Sequence, residues 1–263
     1  MNFLKRRNDF SNSPSGPKGK RLYAIGDVHG CLDKLLALIN MINISDETLP
    51  KKSTFVVLLG DLIDRGPDSA GVVQWAQEFS ANRPNYHFLM GNHEDIFLKA
   101  VRGDLEALDK WLIYGGEETL VSYGIDPSFI KNNDLDTILI TIKKKIPKSH
   151  IEFLSSFLDS IEFGDYFLVH AGVDPSLKLE EQNRDAFLWI REPFLSYKKK
   201  LEKIIVHGHT IEERVTLHNH RISVDTGAYD GGPLSAVCLE DDTHRVIECF
   251  PEDVKKFKDQ QTH

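Results

Sequence analysis

The spacing of apolar and polar residues changes character near residue 160 of this chain. Before that point, short apolar runs alternate with stretches whose apolar residues recur at helical spacing, which predicts strands joined by helices. The predicted strands are Arg21-Leu-Tyr-Ala-Ile25, Thr54-Phe-Val-Val-Leu-Leu59 and Tyr86-His-Phe-Leu-Met90. The helices after them carry Leu32, Leu35, Leu36, Ile39 and Ile42, then Val72, Val73, Trp75, Ala76 and Phe79 (from about Asp68 to Asn82), then Ile96, Phe97 and Val101. Residues 104–160 read as mostly helical, broken at Trp111-Leu-Ile-Tyr-Gly-Gly116, with Ser149 and Glu152 as a capping box. This block is predicted to flank or cover a site. From Ser160 the period becomes two. Ile161–Phe163 and Tyr166–Val169 predict a hairpin, Ile204–Val206 a strand, and 214–218 with 221–225 and 234–240 with 244–250 two more hairpins. Alternating β/α followed by mostly antiparallel β predicts one α/β domain of two packed sheets with outer helices.

Polar residues cluster where the predicted strands end. The first strand runs into Gly26-Asp-Val-His-Gly30, the second into Gly60-Asp-Leu-Ile-Asp-Arg-Gly-Pro67, and the third into Gly91-Asn-His-Glu94. In the second half, His170-Ala-Gly172 and His207-Gly-His-Thr210 follow strands in the same way. No core requires two carboxylates and a guanidinium at the mouth of a strand. Carboxylates bind hard cations, and arginine grips phosphate oxygens through a bidentate fork. Asp27, His29, Asp61, Asn92, His170 and His209 form an oxygen and imidazole donor set suited to Mn, Fe or Zn. Six donors exceed one four-coordinate zinc and suit two metals that share a carboxylate, the arrangement that clamps an in-line phosphoryl displacement. Arg65 and Arg191 can hold non-bridging phosphate oxygens. His93 can protonate the departing alkoxide, oriented by Asp64. His207, two residues before His209, is expected to be structural or to support a ligand rather than to be one.

Composition narrows the picture. At 263 residues, with 41% hydrophobic and 27% charged content, the chain is expected to be an ordinary soluble protein with a full core. A net charge of −8 speaks against a nucleic-acid binder. No run approaches the roughly 20 apolar residues of a membrane span. Lys5-Arg6-Arg7 is followed by no apolar segment, so it is not read as a secretory signal, and a cytoplasmic monomer is expected. Residues 1–20 are predicted to be a disordered tail, 21–252 the domain, and 253–263 a charged tail. Cys238 and Cys249 lie on neighbouring predicted strands and are read as reduced core thiols rather than a pair. Cys31 is followed by Leu-Asp-Lys-Leu-Leu-Ala, with no arginine to cradle phosphate, which excludes a cysteine-phosphatase mechanism.

Together these motifs resemble the phosphoprotein phosphatase branch of the calcineurin-like metallophosphoesterases, over roughly residues 21–230. Trp111, Gly115, Gly116 and Thr119 are similar to the bacterial and phage λ-type members. The resemblance implies a four-layer α/β/β/α sandwich with mixed sheets, and usually Mn²⁺. It implies that Asp27, His29 and Asp61 hold one metal, and that Asp61 (bridging), Asn92, His170 and His209 hold the other. Arg65, Arg191 and Asn92 are then expected to bind substrate phosphate, with His93 and Asp64 as the proton-donor pair and a metal-bridged hydroxide attacking in line. The expected function is a protein serine/threonine phosphatase acting on a phosphoprotein or phosphopeptide. An alternative is a dinucleoside polyphosphate hydrolase. A third is a phosphoprotein-binding scaffold, which the intact ligand set, Arg65 and His93 speak against.

Overall fold

The structure is a computed structural model that describes residues 14–261. Its strands are β1 (Lys20–Ile25), β2 (Ser53–Leu58), β3 (Tyr86–Phe88), β4 (Ser160–Phe163), β5 (Tyr166–Val169), β6 (Ile204–His207), β7 (Thr216–Leu217), β8 (Arg221–Ser223), β9 (Leu234–Glu240) and β10 (Thr243–Cys249). The helices of the first half are α1 (Leu32–Glu47), α2 (Ser69–Ser80), α3 (Asn92–Val101), α4 (Leu105–Trp111) and α5 (Glu117–Ser122). They are followed by α6 (Pro127–Asn132), α7 (Leu135–Lys145), α8 (Lys148–Ser155), α9 (Arg184–Trp189) and α10 (Pro251–Gln261).

Two five-stranded sheets form, ordered β10-β9-β1-β2-β3 and β4-β5-β6-β8-β7. Strand alternation explains how they stack, because successive side chains point to opposite faces. Leu22 and Ala24 of β1 meet Tyr166 and Leu168 of β5 in an apolar layer between the sheets. Tyr23 and Ile25 face the other way, toward Leu35, Leu38 and Ile42 of α1. On the outer face of the second sheet, Phe167, Val169 and Ile205 pack under Phe194 and Val173. The result is the expected α/β/β/α layering with mixed sheets.

Several local expectations are corrected. The second half keeps its three antiparallel hairpins but is not wholly antiparallel, since β6 runs parallel to β5 and to β8. The connection 170–203 is long enough to return the chain to the starting edge, which a hairpin cannot do. The hairpin of β9 and β10 joins the first sheet, with β9 antiparallel to β1. Ser149 does not cap α8: Pro147 stands at the N-cap and Ile146 before it is extended, as a residue preceding proline prefers. Part of the predicted disordered tail is held in place. Ser15 N–H donates to Asp165 at 2.9 Å, Gly16 N–H to the Asp241 carbonyl at 2.8 Å, and the Pro14 carbonyl accepts from Tyr166 at 2.8 Å. Residues 1–13, with Lys5 to Arg7, lie outside the described residues. The charged tail begins as helix α10, which packs Val254 and Phe257 on the core. Cys238 pairs with Arg245 and Cys249 with Leu234 in the β9–β10 ladder, so the two thiols sit on different rungs, and both are free and buried.

The end of β1 away from the motif loops carries a buried ion network. Arg21, with no exposed surface, donates to Glu240 at 2.9 and 3.2 Å and to Asp46 at 2.6 Å. Lys52 lies 3.1 Å from the same glutamate. Burial alone would raise the Glu240 pKa, but hydrogen bonds from Arg21 and Lys52 outweigh it and bring the value from 4.5 down to about 2. A depressed carboxyl pKa contributes stability that is present above 4.5 and lost as the pH falls toward 2. Glu240→Gln is therefore expected to destabilise the fold at pH 7 by up to about 3–5 kcal/mol, the cost of unpairing a buried charge. Urea unfolding at several pH values checks this, because the gap to wild type must narrow through that acid window.

Candidate active site

The motif loops converge at the carboxyl ends of β1, β2 and β3 in one sheet and β5, β6 and β8 in the other. They line a cavity of about 540 Å³ whose walls include Asp27, His29, Asp61, Asn92, His209 and Asp225. Arg65, His93 and Arg191 line it as well, with Tyr114, Trp189 and Tyr229 around them. His170 lies beside it, fully buried.

The backbone turns sharply to present these side chains. Six non-glycine residues have positive φ among the described residues, and five are motif residues: His29, Asp61, Asp64, Arg65 and His209. Non-glycine residues adopt this left-handed region at a cost that the surroundings must cover. Much of the cover comes from Glu94, which the sequence placed in a motif without a job. Its buried carboxylate accepts backbone N–H bonds from Asp61 (2.9 Å), Leu62 (2.7 Å), Ile63 (3.2 Å) and Gly91 (3.0 Å). The Asp61 carbonyl in turn accepts from Val28 and His29 at 3.1 and 2.8 Å, and Asp61 Oδ1 accepts from His93 N–H at 3.0 Å. Gly91 has to be glycine here, because a Cβ would collide with the Asp61 carboxylate and amide.

Around Asp61 the donors have the arrangement that metal ligands need. Ligand atoms of His29, Asp61 and His93 lie within 4.8 Å of one another, as do those of Asp61, His170 and His209. His29 Nδ1–H donates to the Ile63 carbonyl at 2.8 Å and His170 Nδ1–H to the Leu59 carbonyl at 2.9 Å. These bonds fix each ring so that Nε2 faces Asp61 Oδ2, at 3.6 and 3.4 Å respectively. Asn92 Oδ1 lies 2.9 Å from His170 Nε2. Asp27 stands slightly apart, its carboxylate accepting from His209 N–H at 3.1 Å.

The electrostatics of the cluster favour positive charge. Asp27, Asp61 and Asp225 are all buried in this one place. Burial, then the neighbouring Asp225 and Asp61 carboxylates, push the Asp27 pKa well up. Burial lifts Asp225 to about 6. Burial would also raise Asp61, but His170 and His93 hold it well below the usual range. The His170 imidazole resists its own burial beside Asp61 and Asp27 and is pushed up to about 10. Burial lowers His29 to about 3 and His209 to about 2, which leaves both rings neutral with lone pairs available. An oxygen and imidazole donor set with this accumulation of carboxylates fits two divalent cations.

The remaining motif residues surround the cluster. His93 Nδ1–H donates to Asp64 Oδ2 at 2.7 Å. Asp64 is fully buried and also accepts from Trp111 Nε1 at 2.8 Å and from Thr119 Oγ1 at 2.7 Å. That gives the Trp111 to Thr119 segment a concrete contact with the site. Arg65 places Nη2 3.2 Å from His93 Nε2, and Arg191 donates to Thr210 Oγ1 at 2.9 Å and to the His209 carbonyl at 3.3 Å. His207 is buried away from the cavity, with Nδ1 bonded to the Gly208 carbonyl and Nε2 facing Arg221 at 3.3 Å. Asp225 had a legible signal, an acid after a strand and before Thr226-Gly227, like the earlier motifs. Tyr114, Trp189 and Tyr229 had none, since lone aromatics in a sequence are usually core.

A family model described as calcineurin-like phosphoesterase matches residues 20–229. The chain is 24% identical over 253 residues to a bis(5'-nucleosyl)-tetraphosphatase PrpE (asymmetrical) of Bacillus mycoides, covering 89% of this chain and 97% of the relative. It is 27% identical over 225 residues to serine/threonine-protein phosphatase 2 of Salmonella typhimurium, covering 82% and 91%. A crystal structure of a candidate diadenosine tetraphosphatase matches with a TM-score of 0.63 at 19% identity, over 91% of this chain and 100% of that one. The cold-active protein-tyrosine phosphatase of a psychrophilic Shewanella species matches with a TM-score of 0.56 at 19% identity, over 94% and 89%. These structures share the fold. With residues 20–229 matched, the chain belongs to the calcineurin-like phosphoesterase family.

Proposed function

We propose that this protein is a two-metal phosphomonoesterase that removes phosphate from phosphoserine or phosphothreonine in proteins. The observation that carries this reading is the cation content of the cavity, where, among the described residues, Arg65 and Arg191 are the only basic side chains apart from histidine in its lining. Two guanidinium groups match one phosphoryl group, whereas a polyphosphate chain calls for a longer row of cations. Asp27, His29 and Asp61 would hold one ion, and Asp61, Asn92, His170 and His209 the other, with Mn²⁺ the favoured metal and Fe or Zn the alternatives. When bound, such ions supply Lewis acidity and a nucleophile at neutral pH.

The protein's own groups do the rest. Arg65 and Arg191 orient the phosphoryl group and offset the charge that develops on its oxygens. Asp64, fixed by Trp111 and Thr119, keeps His93 in the tautomer that bears a proton on Nδ1. Burial disfavours the imidazolium, yet Asp61 and Asp64 outweigh it and raise the His93 pKa. In the present arrangement Arg65 points at Nε2, and a guanidinium only donates, so that nitrogen accepts. A phosphate oxygen that takes over this Nη2 donor, with the guanidinium in place, leaves Nε2 to carry the proton that the departing alkoxide takes.

The second reading is hydrolysis of a dinucleoside polyphosphate. It is supported by the relatives that bear that name and by the rings of Tyr114, Trp189 and Tyr229 in the cavity wall, which can stack on a base. Comparing kcat/KM on a phosphopeptide and on diadenosine tetraphosphate decides between them. The phosphopeptide is expected to be the better substrate, and a much higher value on the dinucleotide overturns the first reading.

Two further outcomes are expected. His93→Asn is expected to cost ~10²–10⁴ in rate on phosphopeptide, the scale of general acid help, and much less on p-nitrophenyl phosphate, whose leaving group needs no proton. An equal loss on both substrates rules His93 out as the acid. The second concerns protons released on metal uptake. His170 with a pKa of about 10 is protonated at pH 7 and has to lose that proton to ligate. Calorimetric Mn²⁺ titrations in buffers of unlike ionisation enthalpy are expected to show net proton release at pH 7, with affinity weakening as the pH falls. Buffer-independent heats contradict the assignment of His170.

A further inference from the structure

Residues 226–232 connect the second sheet to β9 and bring Tyr229 to the cavity wall. Within them a short turn, Ala228–Asp230, is bounded by Gly227 (φ 69°) and Gly231 (φ 86°), both left-handed, where glycine alone is unstrained. The loop closes on itself, since the Gly227 carbonyl accepts from Asp230 at 2.9 Å and from Gly232 at 3.0 Å. Its base is anchored by Thr226 Oγ1, which donates to the Pro233 carbonyl at 2.7 Å. A side chain from another element ties down both limbs: Lys34 Nζ of α1 donates to the Ala228 carbonyl at 2.6 Å and to the Gly232 carbonyl at 2.7 Å. An ammonium spent on two backbone carbonyls is unavailable to substrate, so its effect is to fix the loop.

The loop presents Tyr229. Its hydroxyl accepts from Arg65 Nη1 at 2.6 Å, the guanidinium lies over its ring at 4.8 Å, and its ring meets the edge of His29 at 5.0 Å. On the far side Arg65 is held by residues 114–115, its backbone N–H donating to the Gly115 carbonyl at 3.1 Å and Nε to the Tyr114 carbonyl at 3.4 Å. Arg65 has a left-handed backbone and a long side chain that would otherwise sample many rotamers. We infer that Tyr229 is a positioning residue that pre-orders the Arg65 guanidinium for phosphate, and that Lys34 acts through the glycine-bounded loop to keep Tyr229 in place. The polar contact of Tyr229 is with Arg65, and its ring packs on His29 rather than on Asp61. It works by removing the entropy that Arg65 would lose on gripping phosphate.

This inference rests on Arg65 as a phosphate ligand, and the test separates the two. Steady-state hydrolysis of p-nitrophenyl phosphate by Mn²⁺-loaded enzyme, with inorganic phosphate as competitive inhibitor, gives KM, kcat and the phosphate inhibition constant. Tyr229→Phe, which removes only the acceptor oxygen, is expected to raise KM and the inhibition constant together by about five-fold, the worth of one hydrogen bond, with kcat little changed. Lys34→Met is expected to shift both constants the same way by a smaller factor. In an Arg65→Ala background, Tyr229→Phe is expected to shift neither, because the residue through which it acts is gone. A shift of equal size in both backgrounds, or a fall in kcat at unchanged KM, overturns the inference. If Arg65→Ala raises the inhibition constant and Tyr229→Phe does not, the inference alone fails. If Arg65→Ala leaves that constant unchanged, Arg65 is no phosphate ligand and both readings fall.

Discussion

A buried carboxylate that never faces the cavity organises this active site. Glu94 accepts four backbone N–H groups, three of them from consecutive residues of the loop after β2. That many donors on one acid is what allows Asp61 to sit in a left-handed conformation at a strand end. Through Asp61 the constraint spreads outward. Its carbonyl fixes the loop with His29, its Oδ1 fixes the first turn of α3, and its Oδ2 faces three histidine rings. Burial lifts the Glu94 pKa to about 7, with the Asp61 charge adding to the effect and the amide bonds working against it. The carboxylate that builds the site and the one at its centre thus repel each other, which is a further reason why cations suit the site.

What the sequence revealed and what it hid follow from the range of the interactions involved. The strands and the residues just beyond them were legible because both signals are local: β-branched runs, then glycine, acid and histidine within a few positions. All nine predicted site side chains from Asp27 to His209, together with Arg191, meet around one cavity or directly beside it. Strand partnership was not legible, because it depends on where a long connection returns the chain. The parallel run of β5, β6 and β8 and the docking of the β9–β10 hairpin on β1 are both of that kind. Pro147 overrode the Ser149 and Glu152 pattern because a fixed φ decides a helix start more firmly than a side-chain bond.

The aromatic residues mark a second limit of sequence reading. Trp111 looks like core in the sequence and is fully buried, yet its indole N–H is spent on Asp64. Tyr229 stands in a glycine-rich turn, and only the fold brings it against Arg65. Both make their polar contact with a motif residue. The short motifs supply reactive groups, and residues far away in sequence set their orientation and protonation.

The central claim is that Asp61 lies between two metal ions in a phosphoesterase site. Anomalous diffraction from crystals grown with Mn²⁺, collected on either side of the manganese absorption edge, tests it most directly. The expected result is two anomalous peaks, both in contact with the Asp61 carboxylate, one also touching His29 and the other His170 and His209. A single peak, or peaks that leave Asp61 without contact, would contradict it.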